Sequence, residues 1–140
     1  MNNSFTYKKK VRASTENLFR IRAFVSEHAE KHGFNPHQIA DIRLAVDEAC
    51  TNIIKHAYKN DTNKEISIEI EVNDQRLKIT IVDMGESFDV KSYHKPNLKK
   101  QIQEKKRGGL GVHLMLNLMD DVTYQVKNKM NVLSMCKNRN

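Results

Sequence analysis

The sequence predicts an α+β fold of two layers, a mostly antiparallel, mixed sheet covered on one face by about three helices. Three observations carry this. Glu65–Val72 and Leu77–Asp83 alternate apolar and polar residues at the period of a half-buried strand. Ile42, Val46, Ala49, Ile53 and Ala57 recur instead at three- and four-residue steps, the period of a helix packed along one stripe. The chain of 140 residues has no Cys-x-x-Cys pair, and this length suffices to bury about two-thirds of the unfolded surface without staples. It therefore reads as a single domain over residues 1–140.

The elements follow in order. Phe5 to Val11 is an opening strand, apolar at alternate positions before Lys8-Lys9-Lys10. Ser14 offers an N-cap to a helix whose stripe is Leu18, Ile21, Phe24 and Val25 and whose end is Gly33. His28 and His32 stand four apart on it, a spacing that can ligate zinc. Ala29 occupies the place where the zinc-protease motif needs a glutamate, so the pair reads as an exposed helix edge. Asn35-Pro36-His37-Gln38 starts the next helix, with Asn as cap, Pro at the first helical position and Gln at the third. That helix runs to about Tyr58.

A polar connection, Lys59 to Lys64, leads to the two alternating strands, which are joined at Asn73-Asp74-Gln75-Arg76. From Glu86 to Arg107 regular periodicity is lost in a lysine-rich background. A loop that long inside a compact domain is usually functional or mobile. Arg107-Gly108-Gly109-Leu110-Gly111 then opens a helix bearing Val112, Met115, Leu118 and Met119. Two closing strands, Val122 to Lys127 and Val132 to Cys136, flank a turn at Asn128-Lys129-Met130-Asn131.

Composition narrows the function without naming it. The net charge of +7 invites a nucleic-acid reading, but Phe, Tyr and Trp make only 6% and do not interleave with the basic residues. A solvated surface or a phosphate-binding loop accounts for the charge equally well. Cys50 and Cys136 fit reduced core residues of a cytoplasmic protein. The first residues carry no apolar leader, and no run approaches membrane-spanning length.

Three stretches carry candidate chemistry. On the long helix Glu48 and Asn52 stand within roughly 40° of each other on one flank, and Lys55 follows about 60° further on. Ala45 shares that flank, and its small side chain would leave room for a ligand to approach. A purely structural helix carries the same residues as a solvated, salt-bridged edge, with Glu48 pairing Lys55 or Arg43. In the second alternating strand Leu77, Ile79 and Ile81 share a face, and period-2 parity turns Asp83 to that same inward side. A carboxylate there costs several kcal/mol unless something donates to it. Either the strand ends and frees it, or it is the floor of a ligand pocket, with Gly85 letting backbone approach a flat ligand. Finally, glycines before a helix N-terminus expose N–H groups and the positive dipole end, an anion site.

Singly these signals are weak; their order is informative. Glu48-x-x-x-Asn52 on a helix, Asp83-x-Gly85 at a strand end and Gly108-Gly109-x-Gly111 opening a helix resemble the N, G1 and G2 boxes of the GHKL, or Bergerat-fold, ATPases. Within them the chain is similar to the bacterial anti-sigma factor serine kinases, most clearly in Asp83-Met84-Gly85-Glu86-Ser87-Phe88-Asp89 and Gly108 to Met115. The likeness runs from the first strand to the last. It implies ATP and Mg²⁺ as cofactors, with Asn52 coordinating the metal and Asp83 accepting a hydrogen bond from the adenine amine. Gly85 would pack against the base. Lys55, Arg107, Gly108, Gly109, Leu110 and Gly111 would face the phosphates, beneath a short nucleotide lid at about residues 86–107. Glu48 would be the general base toward an incoming serine. Many relatives have a second glycine where Ser87 stands; serine there favours the anti-sigma branch.

The resemblance also implies a homodimer that binds a sigma factor and phosphorylates an anti-anti-sigma partner of the STAS type, without direct contact to nucleic acid or membrane. The competing reading is a nucleotide-responsive regulatory binding module without kinase activity. A sensor histidine kinase is disfavoured, because no helical hairpin bearing a phospho-accepting histidine precedes Glu48.

Overall fold

The computed structural model describes residues 3–87 and 109–140, with the backbone alone for residues 109–113. Five strands form one sheet in the order β1-β2-β3-β5-β4: β1 Phe5–Arg12, β2 Glu65–Val72, β3 Arg76–Asp83, β4 Asp121–Lys127 and β5 Met130–Asn138. Three helices, α1 Leu18–Lys31, α2 Pro36–Asn52 and α3 Gly109–Leu118, pack on its inner face. This is the two-layer α+β architecture expected. Every pairing is antiparallel, so the sheet among the described residues is not mixed.

The inner layer follows from alternation. Ile66, Ile68, Ile70 and Val72 of β2 and Leu77, Ile79 and Ile81 of β3 are buried, while the residues between them stay half-exposed. Each such side chain contributes about 1.5–3 kcal/mol by leaving water. Ile21, Val25 and Ala29 of α1, Ile42, Val46 and Ala49 of α2, and Met115 of α3 close the core from above. Among the described residues no helix is long and apolar enough to cross a membrane.

Helix ends show where the chain honours its local signals. Asn35 and Gln38 form a reciprocal capping box, with Gln38 N–H donating to Asn35 Oδ1 at 2.8 Å and Asn35 N–H donating to Gln38 Oε1 at 2.9 Å. At the end of α1 the Phe34 N–H reaches back to the Ala29 carbonyl and the Gly33 N–H to that of Glu30. Gly33 sits at φ 86°, the left-handed geometry this termination needs. Ser14 departs from expectation. Its side chain caps nothing, and the chain enters α1 through a 3₁₀ turn at Thr15–Asn17.

Two further departures matter for the site. The long helix does not stay α-helical to Tyr58. After Asn52 it widens into a π-turn over Ile53–Ala57, where the Tyr58 N–H bonds the Ile53 carbonyl. And the β4–β5 turn is only two residues long, Asn128 and Lys129, both with positive φ, so Met130 and Asn131 belong to the strand. His28 and His32 also differ from the exposed edge expected. The Tyr7 ring of β1 stacks on His28 at 3.7 Å, and its hydroxyl meets His32 Nε2 at 2.7 Å.

Candidate functional site

Asp83 is where the sequence parity placed it, at the inner end of β3 and only 3% exposed. Its Oδ1 accepts two hydrogen bonds, from the Gly85 N–H at 2.9 Å and from Asn131 Nδ2 at 2.8 Å. Among the described residues none reaches Oδ2. Burial pushes the carboxyl above the usual carboxylate range, and the two donors pull the other way. One oxygen is thus fixed by the protein, and the other is available to a ligand donor.

The turn after Asp83 is built against the end of the π-turn. A Cβ on Gly85 would lie 2.5 Å from the Ala57 carbonyl oxygen and 2.8 Å from the Tyr58 ring, so only glycine fits. The Glu86 N–H donates to that same Ala57 carbonyl at 2.8 Å. The Tyr58 hydroxyl accepts from the Met84 N–H at 2.8 Å and donates to the Glu65 carbonyl at 2.6 Å. Burial raises the phenol pKa, which keeps this proton in place. The widened turn therefore delivers Ala57 and Tyr58 to the strand end, tying the Glu48–Asn52 helix to the Asp83–Gly85 loop.

On α2, Asn52 is 6% exposed, and among the described residues its Nδ2 has no hydrogen-bond partner. A buried amide left unpaired is costly, and in a native structure it marks a place for a ligand, ion or water. Glu48 is half-exposed and, among the described residues, forms no ion pair, so the pairing with Lys55 or Arg43 is not made. The neighbouring carboxylate does pair: Arg22 Nε lies 2.8 Å from Asp47 Oδ1. Lys55 sits in the π-turn and is exposed. Ala45 is fully buried in the core and leaves no room for a ligand. Cys50, also fully buried, has its thiol pushed up to about 12, chiefly by burial and then by Asp47 and Asp83.

The glycine-rich stretch is described in part. Gly109, Leu110 and Gly111 form the first turn of α3, and α3 packs along α2. Arg107, Gly108 and the segment expected to be a lid, apart from Glu86 and Ser87, lie outside the described residues. The chain of α2 thus carries the helix flank, is tied through Ala57 and Tyr58 to the strand end, and packs along the glycine-opened helix.

One site residue escaped the sequence reading. The sequence pattern assigns Asn131 to a turn, whereas in the structure it is 1% exposed and stands directly opposite Asp83 in the β3–β5 ladder. The signal that would have found it is the Asn128-Lys129 pair, which serves as a two-residue turn although it lacks the glycine that usually marks one.

The arrangement offers a hydrogen-bond acceptor beside a close backbone approach, an uncommitted amide and a carboxylate one turn before it on a helix, and a helix N-terminus. That is a set suited to a flat amino-bearing base, a metal–phosphate group and a proton acceptor. Comparison with known proteins gives the family. The profile of the histidine kinase-like ATPase domain matches residues 11–137. The chain is 39% identical over 131 residues to serine-protein kinase RsbW of Bacillus subtilis, covering 89% of this chain and 80% of that one. It is 38% identical over 118 residues to RsbW of Bacillus licheniformis, covering 81% and 74%. Among solved structures, the SiaB–SiaC complex of Pseudomonas aeruginosa aligns with a TM-score of 0.72 at 16% identity, over 94% of this chain and 88% of that one. The RsbU and RsbW domains of a Mycobacterium tuberculosis protein align at 0.69 and 16%, over 95% of this chain and 32% of that longer one. At such identity the two structures establish the fold.

Proposed function

Because this chain belongs to the histidine kinase-like ATPase domain family, and within it to the serine-protein kinases RsbW, we infer that it is an ATP-dependent protein serine/threonine kinase and anti-sigma factor. It binds a sigma factor as a homodimer in the cytoplasm and phosphorylates a STAS-type anti-anti-sigma protein on serine. Phosphorylation controls which of the two partners is held. The observation that carries the site assignment is Asp83, a buried carboxylate with Oδ1 committed to the protein and Oδ2 left to an exocyclic amine.

Asp83 and Gly85 take the adenine, the first by accepting its amino N–H and the second by the absence of a side chain. The Asn52 amide suits the triphosphate end: its oxygen would hold Mg²⁺, and its N–H₂, unpaired among the described residues, would reach a phosphate oxygen. Magnesium, when bound, neutralises charge on the phosphates. The N–H groups of Gly109, Leu110 and Gly111 at the start of α3 donate to the same phosphates, and Arg107, Gly108 and Lys55 complete that end.

Glu48 takes the proton of the incoming serine hydroxyl. The serine oxygen bonds to the γ-phosphorus as the bond from that phosphorus to the bridging oxygen breaks, and ADP leaves. Most of the acceleration comes from alignment and charge neutralisation, so Glu48 governs rate far more than nucleotide affinity.

The test is incubation with γ-labelled Mg-ATP and the cognate anti-anti-sigma protein, with phosphoserine read by mass spectrometry. Transfer that collapses in Glu48→Gln while ATP still binds is the expected result. Partner binding without transfer, indifferent to Glu48→Gln, would leave a nucleotide-responsive binding module instead.

A further inference from the structure

The ATP-site reading leaves Asn131 without a role, although its amide is nearly saturated. Nδ2 donates to Asp83 Oδ1 at 2.8 Å and to the Gly85 carbonyl at 3.0 Å, and Oδ1 accepts the Ser87 hydroxyl at 2.6 Å. Both donors and one of two acceptor sites are used. Exchanging the ends of this amide would set oxygen against a carboxylate and a carbonyl, so its orientation is locked. Alternation along β5 makes the position an inner one, shared with Leu133 and Met135. An apolar side chain would serve packing there, whereas a buried amide is tolerated only when its bonds are made.

We propose that Asn131 is a specificity-determining residue of the nucleobase site, which holds Asp83 as an acceptor with Oδ2 presented and so selects a 6-amino purine over a 6-oxo purine. This rests on the ATP-site reading. A carboxylate that can take up a proton or rotate offers a donor as readily as an acceptor, and would tolerate the carbonyl of a 6-oxo base. Asn131 removes both freedoms. Its N–H favours the charged form against burial, which pushes the other way, and together with the Gly85 N–H it holds Oδ1 in place. Through Gly85 and Ser87 the same amide also holds the backbone on which the base is to lie. Asn131 acts through Asp83 and is a positioning residue.

The experiment is calorimetric titration of Mg-ATP and Mg-GTP into the wild-type chain and Asn131→Leu across pH 5.5–8.5. Wild type should prefer ATP at every pH. In Asn131→Leu the ATP affinity should fall on the order of tenfold to a hundredfold, as for loss of a hydrogen bond to a charged group, with GTP changed far less. The sign of the pH effect is fixed. Losing a donor to the carboxylate raises the Asp83 pKa, so ATP affinity in the variant should decline with falling pH from a higher pH than in wild type. A merely structural role would weaken both nucleotides alike and leave the profile in place.

Should Asn131→Leu not fold, the side-chain NH₂ resonances of Asn131 in ¹⁵N-labelled wild type serve instead. They should shift with Mg-ATP and not with Mg-GTP. An unchanged ATP-to-GTP ratio in folded Asn131→Leu, or NH₂ signals indifferent to ATP, overturns the inference alone. A wild-type chain that binds neither nucleotide overturns the reading beneath it.

Discussion

Asp83, Gly85 and Asn131 are bound to one another by hydrogen bonds of 2.8 to 3.0 Å, whereas among the described residues Glu48, half-exposed on α2, has no ion-pair partner and the Nδ2 of the buried Asn52 no hydrogen-bond partner. The strand end is finished before any ligand arrives; the helix flank is left open. The difference suits the role proposed for each. A base is recognised by a fixed pattern of donors and acceptors, so a prebuilt acceptor loses little entropy on binding. Phosphates, metal and a second protein bring their own charges, and side chains already paired would first have to be freed.

The largest effect expected lies on the open side. Glu48→Gln should lower the phosphotransfer rate by roughly 10²- to 10⁴-fold and leave the ATP dissociation constant within about twofold. Parallel losses in rate and affinity would mean that Glu48 belongs to the prebuilt half.

Next is Asp83→Asn, which should weaken ATP by about a hundredfold and at the same time stabilise the nucleotide-free fold at neutral pH. Burial raises the folded-state pKa of Asp83 above its unfolded value. Its contribution to stability is therefore full below the unfolded value and is lost as pH rises through the folded one. Removing the ionisation should raise Tm by a few degrees at pH 7.5 and by nothing at pH 3.5, read by thermal shift.

Gly85→Ala drives a methyl to 2.5 Å from the Ala57 carbonyl oxygen and should cost about 1–3 kcal/mol in denaturant unfolding. The smallest effect belongs to Tyr58→Phe, which strands the Met84 N–H and frees the Glu65 carbonyl. About 1–2 kcal/mol of stability should go, with ATP affinity reduced only severalfold. An ATP loss larger than that of Asp83→Asn would show that the brace, not the carboxylate, makes the base site.

What the sequence made legible follows one rule: periodic signals survived and geometric exceptions did not. Parity alone carried Asp83 to the inner face, because Leu77, Ile79 and Ile81 could not be buried without it. The capping box at Asn35 was equally plain, since it is local and reciprocal. The π-turn was invisible, for Ile53 to Ala57 read as ordinary helix and only the contacts to Met84–Glu86 give the wider turn its purpose. Ala45 belongs to the same helix, and the core fills the space expected beside it. Asn131 was lost because one longer turn shifted it out of the strand. Ser14 offered a cap that the 3₁₀ entry to α1 does not use.

Cys50 has a practical consequence. With its thiol pushed up to about 12 and no surface in contact with water, it holds essentially no thiolate at neutral pH. Alkylating reagents and oxidants must then wait for α2 to lift from the sheet, so the rate at which this sulfur is labelled clocks how often the fold opens beside Asp83. A nucleotide that clamps the two together should slow that clock, with no dye or tag added to the protein.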